Sequence, residues 1–392
     1  MTSGITALER EFALLRSWLF EEALPLWTDR GLDRANGGFF EKLNTDGTPT
    51  IEPRRARVIG RQIYVFAIAG KLGWTGPADE MMRYALDRLF RCHLGVDGMV
   101  ISTVTAEGAP LNAGFDLYDH AFVLFGLAAA AARGKETAGF AARAARLRDD
   151  MKAGWGHPLA GFEESNPRSL PLKANPHMHM LEASLAWMAV SDDPAWGALA
   201  DEIAELCLAR FLDPATGALR EYFGGEWQLL NQPDYGVVEP GHQFEWSWLL
   251  RRWGHWRGRA DALAAAGRLA EIGEAPGVCP VRHLAMNELN PDLSLRDGLC
   301  RLWPQTERIK SHVLAMALSS DGEDRAAFAL QAAQAASGLR RFFDHPLKGA
   351  WWEHLGIDGK PLAEPARTSS LYHIICAINE IADRLAAVQA RP

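Results

Sequence analysis

Residues 118–133 read YDHAFVLFGLAAAAAR and stop at Gly134. Past the polar opening, every side chain before the final arginine is apolar. A helix that is apolar on all sides belongs in an interior, so this stretch predicts a central helix covered by other helices. Its neighbours are of a different kind. Trp196–Phe211 is amphipathic, with Asp201, Glu202 and Glu205 along one side and apolar residues at helical spacing. A further apolar helix is expected from about His242 to Trp253, and a last one from Ser369 to Ala390.

Tyr118 also belongs to a series. A polar or ionisable residue stands where the more apolar helix of each repeat is expected to begin. These residues are Arg61 in GRQIYVFA, Tyr118 in DLYDHAF, His179 in NPHMHMLEA, His242 in EPGHQFEWSWLL, Glu307 in WPQTERIKSHVL and His373 in SSLYHIICAI. Their separations are about 57 to 66 residues. A second series runs in phase with the first: GGFFEKLNTDG from Gly37, GMVISTVTAEG from Gly98, GFEESNP from Gly161, GALREYFGGEW from Gly217, GVCPVRHLAMNELN from Gly277 and GAWWEHLGIDGKP from Gly349. Alternating apolar residues closed by Asp-Gly or Glu-Gly predict small hairpins. Six units, each with an outer amphipathic helix, a hairpin and an inner apolar helix, would close into an all-α barrel of paired helices with short β-hairpins at one rim. All six inner helices would then start at the same rim, and the polar series would point into one cup. No Gly/Ser linker or charge block divides residues 1–392, so one domain is expected.

The composition suits such a core. Of 392 residues, 48% are hydrophobic and 23% charged. The net charge of −8 argues against a surface that tracks nucleic-acid phosphates. The fourteen tryptophans suit either a large core or flat walls for sugar rings. The five cysteines are odd in number and scattered without a CxxC pair, which points away from a disulfide framework or thiolate zinc site and towards a reducing compartment. Charged residues interrupt every apolar run of the N-terminal stretch, and no segment reaches membrane-spanning length, so a cytoplasmic location is expected, without membrane partners. GxxxxGK[ST], the Rossmann glycine fingerprint, GxSxG and HExxH are all missing. No cofactor and no metal are expected.

The remaining chemistry is acid–base chemistry. His179, His242 and His373 titrate near neutrality without help, and the positive end of a helix would favour their neutral forms. Glu245 follows His242 by three residues, so the two share a helix face and Glu245 is expected to orient the imidazole. Asn175 lies one turn before His179 and suits a sugar hydroxyl. Arg61 is a fixed cation suited to a sugar oxygen or an enediolate. Trp303, Trp351 and Trp352 are candidate platforms for a pyranose. His177, two residues from His179, diverges from it on a helix, which argues against a metal pair. Glu245 and Glu307 keep a two-carboxylate glycoside hydrolase open as a rival.

The segments RQIYVFA, NPHMHMLEA, EPGHQFEW, RLWPQTE and SSLYHI resemble those of the N-acylglucosamine 2-epimerase superfamily, from about residue 10 to 385. The resemblance implies an (α/α)6 barrel acting on a hexose, as a monomer or homodimer. It implies substrate contacts from Arg61, Tyr118, Asn175, Trp303, Gln305 and Glu307. It also implies an acid–base pair in His242 and His373, with Glu245 as acidic neighbour, and ring opening assisted by His179. The wording lies nearer the mannose isomerase branch, so interconversion of D-mannose and D-fructose through a cis-enediol is expected. A 2-epimerase of N-acylglucosamine or of a glucose-ended disaccharide is the alternative. A sugar-binding or regulatory barrel is the non-enzymatic one.

Overall fold

The computed structural model describes residues 3–134 and 136–390. Thirteen α-helices dominate it among the described residues. The first outer helix is α1 (Ser3–Trp18), which runs through a π-helical turn at Leu19–Ala23 into α2 (Leu24–Asp29). Inner and outer helices then alternate: α3 (Ala56–Lys71), α4 (Ala78–Cys92), α5 (Leu117–Ala132), α6 (Thr137–Trp155), α7 (Ala174–Met188), α8 (Pro194–Leu206), α9 (Pro240–Arg257), α10 (Ala260–Glu274), α11 (Leu302–Leu318), α12 (Gly322–Arg340) and α13 (Ser370–Gln389). The odd-numbered helices from α3 to α13 are buried along most of their length, and each packs on the next, α13 returning to α3. The even-numbered helices from α4 to α12 cover them, and α1 seats against α12 and α13 to complete the outer ring. The two ends of the circle touch where Gln389 Nε2 donates to Glu9 Oε1 at 3.0 Å. The fold is an (α/α)6 barrel.

Backbone contact between inner helices requires glycine at one crossing. A Cβ on Gly60 of α3 would lie 2.3 Å from the Phe122 carbonyl oxygen, and one on Gly126 of α5 would lie 2.5 Å from that of Gly60. Two outer helices carry an ordinary aspartate cap: Asp193 accepts from Ala195 N–H at the head of α8, and Asp321 from the backbone N–H groups of Glu323 and Asp324 ahead of α12. Two inner helices are anchored differently, by glutamates from the preceding hairpin. Glu41 accepts from Arg55 N–H at the head of α3, and Glu164 from Lys173 N–H at the head of α7.

The rim strands do more than form hairpins within units. Arg54–Arg55 pairs with Thr103–Val104, Leu172–Lys173 with Tyr222–Phe223, Cys300–Arg301 with His354–Leu355, and Ala366–Arg367 with Lys42–Leu43. Bridges from Asp116 to Ser165 and from Val238 to Leu289 supply the other two joints. The segment before each inner helix thus pairs with the hairpin of the next unit, all the way around.

One more device repeats. The fourth residue of α5, α7, α9 and α11 reaches back to a loop N–H. His120 takes that of Val100, His177 that of Phe162, Gln243 that of Leu219 and Gln305 that of Ala285. Each also bonds the carbonyl four residues before it. Gln305 is therefore occupied by the Ala285 and Arg301 backbone, and the substrate contact expected of it is corrected to a loop anchor.

Candidate active site

The inner helices all present their N-terminal ends to one cavity of about 210 Å³. Its walls include Arg61 from α3, Tyr118 from α5, Asn175 and His179 from α7, His242 and Glu245 from α9, Trp303 from α11 and His373 from α13. Five members of the polar series therefore meet there. A neighbouring cavity of about 460 Å³ shares Arg61, Tyr118 and Asn175 and continues past Arg57, Asp116, Glu164 and Lys173.

Three histidines are held alike. His179 Nδ1 donates to Glu182 Oε2 at 3.1 Å, His242 Nδ1 to Glu221 Oε2 at 2.9 Å, and His373 Nδ1 to Glu307 Oε1 at 2.9 Å. An ionised carboxylate only accepts, so each pairing places a proton on Nδ1 and leaves Nε2 as the reactive nitrogen. Their charges differ all the same. Burial lowers His179 and His373 to about 4, against the pull of their glutamates and with Arg61 adding to the shift. Burial also disfavours charge on His242, but Glu221 and Glu239 outweigh it and push the group up to about 9. At His242 the two carboxylates thus override the helix dipole that favours the neutral form. Near neutral pH the cup holds two neutral imidazoles and one imidazolium. His242 and His373 both lie against one ring, with centroids 5.0 and 5.8 Å from that of Trp303.

Arg61 is 6% exposed, and no ion-pair partner for it is found among the described residues. Its guanidinium lies 4.0 Å over the Phe122 ring and donates to Tyr118 Oη at 2.9 Å, and its Nε is buried without a partner. Asn175 Oδ1 is likewise buried and unpartnered. Both are ready for ligand oxygens, because a buried polar atom gains most from the first partner it meets.

Three further expectations change. Glu245 does not orient His242. It lies 3.9 Å from His179 Nδ1 and from Lys310 Nζ, and burial together with Glu307 pushes its carboxyl well above the ordinary range. Glu307 is wholly buried beneath His373, between that ring and Lys310, so it reaches no substrate and the Glu245–Glu307 glycosidase pair is not formed. Trp351 stacks on Trp27 at 4.9 Å and donates to Glu353, in the core beside α2 rather than in the cup. Trp352 packs on His345 and is also remote from it.

Sequence reasoning missed Glu182, Glu221, Glu239 and Lys310. Glu182 and Lys310 carry a local signal, each three residues after a member of the polar series. Glu221 has one only in the hairpin repeat, where FFEK, FEES, REYF and WWEH each place a glutamate after an aromatic residue or arginine. Two groups, His179–Glu182–Glu245 and Glu221–Glu239–His242, bring metal-ligand atom types within 4.8 Å of one another. Some of their atoms already have partners, whereas Glu221 Oε1 and Glu245 Oε1 are buried without a hydrogen-bond partner. Glu182 accepts from Tyr372 Oη at 2.6 Å, and Glu239 pairs with Arg301 at 2.5 Å.

The N-acylglucosamine 2-epimerase (GlcNAc 2-epimerase) sequence family matches residues 38–377. A mannose-6-phosphate isomerase of Rhizobium meliloti is 44% identical over 95% of this chain and 96% of its own length. A cellobiose 2-epimerase of Bacteroides fragilis is 26% identical over 64% of this chain and 65% of its own length. The crystal structure of a D-mannose isomerase superposes with a TM-score of 0.84 at 20% identity, covering 95% of this chain and 97% of that one. The chain belongs to the N-acylglucosamine 2-epimerase family.

Proposed function

We propose that this member of a family of sugar isomerases and epimerases interconverts D-mannose and D-fructose. The observation that supports this reading is the neutral His373 and cationic His242, both beside the Trp303 ring and each with Nδ1 committed to a carboxylate. Proton abstraction next to a carbonyl needs a base and a charge that stabilises the enediolate. A barrel that only bound sugar would need neither.

In the proposed sequence, neutral His179 assists ring opening, and Asn175 and Tyr118 bind hydroxyls. His373 Nε2 takes the C2 proton of the open-chain aldose. The electron pair forms the C1–C2 double bond, and the charge that collects on the carbonyl oxygen is met by Arg61 and the His242 imidazolium. Returning the proton to C1, while the C2 hydroxyl proton passes to O1 and C2=O forms, yields the ketose. Returning one to the opposite face of C2, from His242, would give the epimer, which is the alternative reading that the named cellobiose 2-epimerase favours.

The charge pattern favours an unphosphorylated hexose, although one relative is named a mannose-6-phosphate isomerase. Arg57, Arg301, Arg367 and His354 all face carboxylates, and Asp116, which lines the adjoining cavity, would repel a phosphate. The test is incubation with mannose, mannose-6-phosphate, N-acetylmannosamine and cellobiose in deuterated water. Fructose labelled at C1, formed from free mannose in preference, is the expected result. Label at C2 of an epimerised aldose with no ketose would reject isomerisation, and preference for the phosphate would reject the substrate. Activity is expected to survive exhaustive dialysis against EDTA, and a loss reversed by added metal would reject histidines as the sole proton carriers.

A further inference from the structure

Lys310 of α11 lies beneath the cup with no exposed surface. Its Nζ is 2.5 Å from Glu307 Oε2, 3.9 Å from Glu245 Oε1 and 4.0 Å over the Trp248 ring. The other oxygen of Glu307 holds His373. A buried ammonium thus stands directly behind the carboxylate that grips one imidazole. The carboxylate behind the other has no equivalent ammonium: among the described residues Glu221 is paired with no cation besides His242, and its neighbour Glu239 adds a second negative charge, shared with Arg301. The two histidine–glutamate pairs have the same 2.9 Å length, so what distinguishes them is the charge behind each glutamate.

We propose that Lys310 is a positioning residue which, by neutralising Glu307, reserves His373 as the proton acceptor and leaves His242 as the cation. The catalytic meaning of this assignment rests on the isomerase reading; the charge assignment does not. The groups facing His373 are Glu307 and Lys310 from α11, Arg61 from α3, His179 from α7 and Tyr372 from its own helix. Glu307 is the carboxylate that directly touches the imidazole, and Lys310 shares its charge. Without Lys310, the Glu307 charge would either draw a second proton onto His373 or itself be quenched by protonation. In the second case Glu307 would donate to Nδ1 and the ring proton would move to Nε2. Either way Nε2 acquires a proton and His373 ceases to be a base.

The experiment is nitrogen-15 NMR of the histidine rings in the full-length protein, read beside the pH profile of kcat/KM for mannose. In the wild type and in Lys310→Arg, His373 Nε2 is expected to carry no proton at pH 7. In Lys310→Met it is expected to be protonated, with kcat reduced at least tenfold and KM changed less. The double variant Lys310→Met/Glu307→Gln removes both charges, keeps an acceptor for Nδ1, and is expected to free Nε2 again. It also provides the test should the single variant not fold. A free His373 Nε2 in Lys310→Met, or a protonated one in the wild type or the double variant, overturns the proposal. The NMR result is independent of turnover, so an enzyme inactive on mannose but with the expected ring states would reject the isomerase reading and keep the charge assignment.

Discussion

At the scale of single residues, the site depends on unequal treatment of similar histidines. Glu221→Gln should let His242 fall from about 9, because the nearest opposing charge is gone. The expected result is an alkaline limb of kcat/KM displaced towards neutral pH and activity at pH 8 reduced about 10- to 100-fold, on the scale of general acid–base contributions. An unchanged alkaline limb would show that another group sets it. His373→Ala should reduce turnover by roughly 10²-fold or more, measured at saturating mannose. The members of the polar series were legible because their period puts five of them on one rim. Glu221 was not, because it meets His242 only through tertiary pairing, 21 positions away. Trp351 misled for another reason. An indole is equally at home against a sugar or against Trp27, and only the packing of α2 decides between them.

At the scale of elements, the repeat was readable as period and apolarity, while its fastenings were not. His120, His177, Gln243 and Gln305 are polar residues at matching positions, yet the sequence does not say that a hairpin N–H will lie opposite each. Gln305→Ala leaves the buried Ala285 N–H without its acceptor. A loss of about 1–3 kcal/mol is expected from the unmade bond, read by urea denaturation, with kcat little altered. A large fall in kcat at unchanged stability would return Gln305 to the site. Gly60→Ala tests a different fastening. Its Cβ would meet backbone rather than a flexible side chain, so α3 and α5 must separate, at a cost of about 1–3 kcal/mol. Arg61 and Tyr118 ride on those helices, so their 2.9 Å contact should loosen and KM should rise with the loss of stability.

At the scale of the whole molecule, buried imidazoles set the response to pH. Burial lowers His93, His120, His177, His179 and His373 to about 4 from an ordinary 6.5. Between those values the unfolded chain binds more protons than the folded one, so stability rises with pH from 4 to 6.5. His242 acts in the opposite sense. Raised to about 9, it contributes stability that is complete below 6.5 and is lost as pH climbs through 9. Thermal melts at matched ionic strength should therefore give a Tm highest near neutrality, falling steeply towards pH 4.5 and more gently towards pH 9.5. A Tm equal at pH 7 and pH 4.5 would contradict the neutral, buried state of these rings.

The contact between Glu9 and Gln389 has a topological consequence. With α1 seated against α12 and α13, the described chain is nearly a loop, and where it is cut matters little to what it encloses. A short linker across that contact, with new termini opened at the exposed turn after Gly258 between α9 and α10, should yield a circularly permuted protein in which the same side chains surround the same cup.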